Sequence, residues 1–179
     1  MGWTFHYHTT RDRLIRSLLE PRTYTRDDGT PVRIEPLKST VHSTRLWSLW
    51  QELIGDQATR YIVLHLLAAD RKHDGYGYKD MDETMHPYYY DCPVTWLDDL
   101  TEPVNDGSRA WRAKVREWHA HQKEHKRRVE AMQSGTPILV YGVPYTYEYC
   151  FRPGRYAVRK QETGVLYGAT RSMITFPEG

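Results

Sequence analysis

The sequence predicts an α+β fold: a mixed amino-terminal sheet with a short helix, then one long basic helix, then a small carboxyl-terminal SH3-like β-barrel. Three observations support this prediction. The chain has 179 residues, which is enough for one compact domain with a small appendage. A helical pattern of about 25 residues begins near Asn105. After this pattern, the apolar residues follow the period of short strands separated by turns.

Residues 1–104 are predicted to form an α+β domain with an acidic loop. An upstream threonine can cap a short helix over residues 12–19, which ends before Pro21. Residues 60–67 are apolar on both faces and rich in β-formers, as in a buried strand, and His65 within them is predicted to be a hydrogen-bonded core histidine. The apolar spacing of residues 41–53 fits a strand and a helix equally, so their secondary structure stays open.

Residues 105–134 are predicted to form the long basic helix. Side-chain oxygens at Asn105 and Asp106 can cap its start, and Gly135 can end it. Apolar side chains recur along one stripe at three- and four-residue steps: Trp111, Val115, Trp118, Val129 and Met132. Basic side chains are predicted to cover much of the remaining surface: Arg109, Arg112, Lys114, Arg116, Lys123, Lys126, Arg127 and Arg128.

Residues 135–179 contain five short runs of β-branched and aromatic residues, separated by glycine and proline turns. Short strands joined by tight turns suggest a meander that curls into a small barrel. Tyr145, Tyr147 and Tyr149 are predicted to share one strand face. An aromatic face of this kind is more often core than a binding surface, although small barrels also bind partners.

The charges are unevenly distributed along the chain. The chain has 25 basic and 23 acidic side chains, and its net charge is +2. Residues 70–107 hold ten acidic and three basic side chains, whereas residues 108–134 hold three acidic and eight basic ones. Adjacent blocks of opposite sign can fold against each other. We therefore prefer mutual compensation, or solvation of both blocks, to a nucleic-acid footprint on the basic helix.

The composition predicts a cytoplasmic protein without membrane contact. No apolar run approaches the roughly 18 residues that a bilayer-spanning helix needs. The polar, histidine-rich start differs from a secretion signal. Cys92 and Cys150 are the two cysteines and permit at most one disulfide, which indicates a reducing compartment.

Residues 75–93 are the segment expected to carry function, because they combine glycines, five tyrosines and several carboxylates. If this segment is extended, two of its aspartates project from one face and could hold a divalent cation with a third carboxylate. The alternative, which we prefer, is that these carboxylates cap a helix, fix a turn or pair with neighbouring cations. The candidate binding residues, one of which lies on the basic helix, are Tyr78, Asp80, Asp82, Glu83, Asp91 and Arg127.

The sequence predicts no catalytic residue, no cofactor and no metal site. The spacing of His121 and His125 puts two imidazoles on one helical face, but no third ligand follows at a reliable spacing. The residues that come nearest to a metal site are Asp80, Asp82, His121 and His125. A P-loop, a dinucleotide fingerprint and a Gly-x-Ser-x-Gly elbow are all absent from the sequence. Cys92 could act as a nucleophile, but a buried structural thiol is the preferred interpretation.

Several motifs resemble those of a family of small uncharacterised proteins found in bacterial genomes, often in prophages, phages and plasmids. The motifs are Met-Gly-Trp-Thr at residues 1–4, Gly-Tyr-Lys-Asp-Met-Asp-Glu-Thr-Met at residues 77–85, and Asp-Cys-Pro at residues 91–93. The likeness continues through residues 111–119 and the carboxyl-terminal strands. One departure is His86, where the family commonly has glycine before the proline. The resemblance implies a mobile-element accessory protein, and genes that travel with such elements often blunt host defences.

Three functional hypotheses follow. The preferred one is a non-catalytic mobile-element protein that uses its acidic block or its barrel to bind and inhibit a host protein or protein–nucleic-acid complex such as a defence component. The second is a metal-dependent hydrolase of a nucleotide or nucleic acid that uses Asp80, Asp82 and Glu83. The third is direct nucleic-acid binding through the basic helix over residues 109–128. A homodimer remains an open alternative, since 20 Trp and Tyr residues could supply interface anchors.

Overall fold

The computed structural model describes residues 2–177 and shows a mixed α+β protein, mostly sheet with two helices. The helices are α1 (Arg11–Leu18) and α2 (Asp106–Glu130). The strands are β1 (Thr4–Tyr7), β2 (Arg22–Thr25), β3 (Pro31–His42), β4 (Arg45–Ile54), β5 (Gln57–Asp70), β6 (Gly75–Asp82), β7 (Pro137–Val140), β8 (Val143–Arg152), β9 (Arg155–Lys160), β10 (Leu166–Thr170) and β11 (Ile174–Thr175). Short 3-10 turns cover Glu83–Met85, Val94–Asp98 and Arg171–Met173.

The chain divides into two compact units, Met1–His119 and Ala120–Gly179. The boundary lies within α2, whereas the sequence predicted boundaries at the two ends of this helix. The helix ends at Glu130, four residues before the predicted end at Ser134, and a turn in which Gly135 has a φ of +91° follows. No helix within residues 2–177 is both long and apolar enough to cross a membrane.

The first unit is built on a six-stranded antiparallel sheet with the strand order β1-β6-β5-β4-β3-β2. Residues 41–53, which the sequence could not assign to strand or helix, form the end of β3, a turn and most of β4. Trp47 and Leu49 point to one face of the sheet, and Leu46 and Trp50 point to the other, and all four are buried. A strand that is buried on both faces has no polar alternation, which explains why its period was ambiguous.

One face of this sheet is covered by the first part of α2 and by the segment that precedes the helix. Trp111 and Val115 are fully buried against Trp47 and Leu64. The segment before the helix contributes further apolar side chains to the same core: Cys92, Trp96 and Leu97. This layer is the main hydrophobic core of the first unit.

The opposite face is covered only in part, because α1 is short. Leu14 and Leu18 of α1 are buried against Leu46 and Leu67 of the sheet. A helix of eight residues is about 12 Å long, whereas six strands spaced by about 4.8 Å make a sheet about 24 Å wide. The helix therefore leaves part of this face uncovered.

The first part of the predicted acidic loop is instead strand β6, over Gly75–Asp82. Its glycines allow close pairing with β1, since a Cβ at Gly75 would collide with the carbonyl oxygen of His6. Asp82 then caps the following 3-10 turn by accepting from the Thr84 N–H at 2.8 Å. The turn ends at His86, whose φ of +51° is in the left-handed region that favours glycine.

The second unit contains the last part of α2 and a five-stranded sheet with the order β10-β9-β8-β7-β11. The five predicted strands are therefore present, but the edge strands β10 and β11 are not hydrogen-bonded to each other, so a closed barrel is not shown. Tyr145 and Tyr147 pack in the core of this unit. Tyr149 does not join them, because a bulge between Tyr147 and Tyr149 shifts the register and leaves the Tyr149 ring exposed.

Candidate binding cleft

A cleft of about 220 Å³ opens on the partly covered face of the first sheet, beside α1. Its floor is formed by Trp50 of β4 and by Tyr61, Val63 and His65 of β5. Its rim carries charged side chains from β2 and β6: Arg22, Asp80 and Asp82. We call this site the cleft.

The strand period of two explains why these side chains meet. The floor residues of β5 alternate with Ile62 and Leu64, which point into the main core on the other face. The antiparallel register of β5 and β6 then places His65 opposite Asp80 and Val63 opposite Asp82. Directly opposed residues have their Cβ atoms about 4.5–5.5 Å apart, so both aspartates stand beside the floor.

His65 is the most unusual group in the cleft. Its side chain is 6% exposed, and its Nδ1 atom is buried without a hydrogen-bond partner. The sequence predicted burial correctly but predicted a hydrogen-bonded ring. Burial lowers the pKa of His65 to about 4, the nearby Asp80 carboxylate partly offsets this, and Arg22 lowers it further. The imidazole is therefore neutral at pH 7. Its unpartnered Nδ1 is itself buried, so a ligand reaches it only if the ring or its neighbours move.

We expect His65 to make stability depend on pH between about 6.5 and 4. The unfolded chain takes up the proton near pH 6.5, whereas the folded chain takes it up only near pH 4, so the unfolded state binds more protons in this window. Its stabilising effect is complete above pH 6.5, and roughly 3 kcal/mol is lost as the pH falls to 4. Urea unfolding of the wild type and of His65→Gln at a series of pH values measures the effect. The variant should lose stability less steeply, and identical slopes would contradict the prediction.

The aromatic groups of the floor are neutral, and the polar atom of Trp50 is already satisfied. Trp50 Nε1 donates to the Ser48 hydroxyl at 2.7 Å, so this side chain offers the cleft ring surface only. Burial raises the pKa of Tyr61 to about 12, and the carboxylates of Glu52 and Asp82 raise it further. Tyr61 therefore keeps its proton at all ordinary pH values and can donate or accept a hydrogen bond.

Two of the predicted site residues share the cleft, and a third lies close by. Asp80 is exposed and Asp82 is half-buried on the rim. The ring of Tyr78 lies 5.9 Å from that of His65, measured between centroids. The proximity of Asp80 and Asp82 follows from the strand spacing that the sequence analysis considered.

Glu83 does not join this carboxylate pair. Its side chain is buried, and its two carboxylate oxygens accept from Arg112 at 2.8 and 2.5 Å. Arg112 also donates to the carbonyl oxygen of Thr101 at 2.6 Å. Arg112 was predicted to lie on the exposed surface of the basic helix, which is wrong, because it is buried inside the protein and its charge is neutralised by the Glu83 carboxylate.

Asp91 lies in a separate groove of the first unit, of about 530 Å³. Arg45 Nη2 is 2.8 Å from Asp91 Oδ2, and the Arg45 guanidinium also lies over the Tyr89 ring at 5.2 Å from its centroid. Tyr88 is 87% exposed at this groove. Asp91 is therefore held in a local ion pair.

The remaining predicted residues lie in the second unit. Arg127 forms an exposed ion pair with Glu124, with atoms 2.7 Å apart. His121 is exposed, whereas the ring of His125 donates to the Ile174 carbonyl at 2.8 Å. Within residues 2–177, no group of three or more His, Cys, Asp or Glu side chains is placed to hold a metal ion.

Cys92 is a poorly reactive thiol. It is fully buried in the main core of the first unit, and burial raises its pKa to about 12. The Asp91 and Glu83 carboxylates add to this effect. Since the thiolate is the nucleophile, the preferred structural interpretation of Cys92 agrees with its environment.

The sequence did not indicate Arg22, Trp50, Tyr61 and Val63 as site residues, and it predicted His65 only as a core residue. They come from three strands, β2, β4 and β5, and residues 60–67, which are apolar on both faces, gave no signal that one face would line a site. Recognising them required the pairing of β5 with β6 and the short length of α1.

The chain matches no protein-family model, no curated protein and no solved structure. Its function has to be inferred from the geometry of the cleft.

Proposed function

We propose that this protein is a cytoplasmic accessory protein of a mobile element, and that it binds and inhibits a host macromolecule through the cleft of its first unit. The observation that carries the proposal is the unpartnered Nδ1 of the buried His65 in an open cleft. Leaving a buried polar atom without a partner costs about 1–3 kcal/mol, and binding that moves the ring toward a partner would recover this cost. The assignment to a mobile element rests on the family resemblance. We also propose, from its short strands and tight turns, that the sheet of the second unit is SH3-like.

Several charged groups outside the cleft are already paired within the chain. This favours the cleft, rather than the whole acidic block of residues 70–107, as the binding site. Besides Glu83 and Asp91, two further carboxylates of residues 70–107 form ion pairs within the chain: Asp99 with Lys38, and Asp106 with Arg109. Asp70 is held by a hydrogen bond to the His73 ring. Compensation of this kind leaves less net charge for a partner. The basic helix also offers a partner fewer positive charges, since Arg112 is buried and Arg127 is paired with Glu124.

Filling the cleft is expected to abolish partner binding. In Val63→Trp, a large ring would occupy the floor of the cleft, so capture of the partner from host lysate at moderate salt should fall at least tenfold. Val165→Trp is the matched control, because Val165 is 49% exposed and belongs to the second unit. Equal capture by the wild type and both variants would contradict the proposal, provided that thermal unfolding shows that Val63→Trp is folded.

A metal-dependent hydrolase is the second candidate. The observation in its favour is that Asp80 and Asp82 share the cleft with a neutral imidazole, which could accept a proton. Hydrolysis of a nucleotide in the presence of Mg²⁺ or Mn²⁺, lost in Asp80→Ala, would favour this candidate over binding alone.

A further inference from the structure

The cleft also indicates the chemistry of the group that enters it, and this inference rests on the proposed function. We propose that the cleft receives one basic side chain of the partner, an arginine guanidinium or a lysine ammonium, between the Asp80 and Asp82 carboxylates and the aromatic floor. Charge, size and the set of hydrogen-bond acceptors each support this assignment.

The charge around the cleft is negative. Asp80 and Asp82 stand on the rim against a single cation, Arg22, and the floor residue His65 contributes no charge at pH 7. Glu52 adds a negative contribution at Tyr61, although Arg26 lies 3.2 Å from this carboxylate and screens it in part. A cation is therefore favoured over an anion.

The size of the cleft suits one side chain. Its volume of about 220 Å³ is below the range of about 300–1,000 Å³ that is typical of sites for whole small molecules. An arginine or lysine side chain is long and narrow, so its charged end can reach the floor of the cleft on the surface of the sheet. The ring surfaces of Trp50 and Tyr61 can contact such a cation favourably.

The available acceptors match a donor that carries several N–H groups. Asp82 Oδ1 already accepts from Thr84, so its Oδ2 remains for a ligand, and the exposed Asp80 offers both oxygens. Tyr61, which also lines the floor, keeps its proton, and its hydroxyl oxygen is a further acceptor. Guanidinium and ammonium groups are donors only, so they satisfy these acceptors without leaving one of their own unpaired.

The test is an NMR titration of the full chain with small probes of defined charge. The probes are N-acetyl-arginine amide and N-acetyl-lysine amide. N-acetyl-norleucine amide is the neutral control, and inorganic phosphate is the anionic one. We expect saturable shifts at the ring nitrogens of His65 and at the Tyr61 amide, with a dissociation constant on the order of 1 mM for the cationic probes only.

The variant Asp80→Asn/Asp82→Asn should weaken binding of the cationic probes at least fivefold. Asparagine is also a good cap, so the turn after β6 should survive the change. The matched control is Asp98→Asn, which removes an exposed carboxylate outside the cleft. It should leave the affinity unchanged.

Four outcomes would overturn the inference: no saturable shift with either cationic probe, equal binding of the norleucine probe, stronger binding of phosphate, or full affinity in the double variant. The proposed function fails separately. Partner capture that is lost in Val63→Trp but retained in Asp80→Asn/Asp82→Asn would exclude the basic side chain while keeping the cleft as the binding site. Capture retained in Val63→Trp would exclude the cleft itself.

Discussion

Replacing Arg112 with methionine is expected to lower the free energy of unfolding by about 3–5 kcal/mol, because the Glu83 carboxylate would remain buried without its partner. The two side chains are 7% and 0% exposed, and they are joined by two hydrogen bonds. The change also removes the bond from Arg112 to the Thr101 carbonyl. Urea unfolding monitored by tryptophan fluorescence measures the loss.

Arg109→Met is the matched control for this prediction. Arg109 lies on the same helix and pairs with Asp106, but both side chains are largely exposed, so the loss should stay below about 1 kcal/mol. The double variant Glu83→Leu/Arg112→Met should recover most of the stability, because it removes both charges together. A loss for Arg112→Met no larger than that for Arg109→Met would show that Glu83 finds another partner or water.

This ion pair also bears on the cleft. Glu83 follows Asp82 directly, so its bond to α2 holds the end of β6 in place. If the pair is broken by Arg112→Met, the position of Asp82 should become less defined. We therefore expect the affinity for cationic probes to fall in the fraction of this variant that remains folded.

Trp111→Ala is expected to lower the free energy of unfolding by about 3–5 kcal/mol, which is the usual cost of removing a fully buried tryptophan. The ring packs against Trp47, with 6.0 Å between the centroids, in the centre of the main core. Its Nε1 donates to the Tyr89 carbonyl at 3.1 Å, so the change also leaves this oxygen without its donor.

The matched control is Trp118→Ala, two turns further along the same apolar stripe. Trp118 is half-buried and lines the open groove near Tyr88, so its removal leaves no closed cavity. We expect a loss of roughly 1 kcal/mol or less, from the smaller apolar area buried. Thermal and urea unfolding of both variants give the comparison, and equal losses would mean that the stripe is buried uniformly.

The regularities of the fold that depend on local sequence could be predicted. The short first helix, the strand within residues 60–67, the long helix and the five carboxyl-terminal strands were all visible as periods and turn signals. The prediction that Tyr149 shares a face with Tyr145 and Tyr147 failed, because a bulge that is invisible in the hydrophobic pattern shifts the register. His86 takes a left-handed conformation that favours glycine, at the position where the resembled family commonly has glycine.

The candidate site was predicted only in part. The spacing of Asp80 and Asp82 was enough to place them on one strand face. It could not show that Glu83, one residue further, enters the core with Arg112, because that pairing joins groups 29 residues apart. It could not show His65 as a site residue either, because burial alone does not distinguish a satisfied ring from an unpartnered one.

By itself, the sequence determined the local elements of this protein and the side chains that each face of an element presents, since these depend on period, capping and turn chemistry. The tertiary structure alone decided which strands pair, which charges neutralise each other and which part of the sheet stays open. The physical reason is that these outcomes depend on contacts between distant segments. The eight residues of α1 are too few to cover the sheet, and the open face that remains holds the cleft.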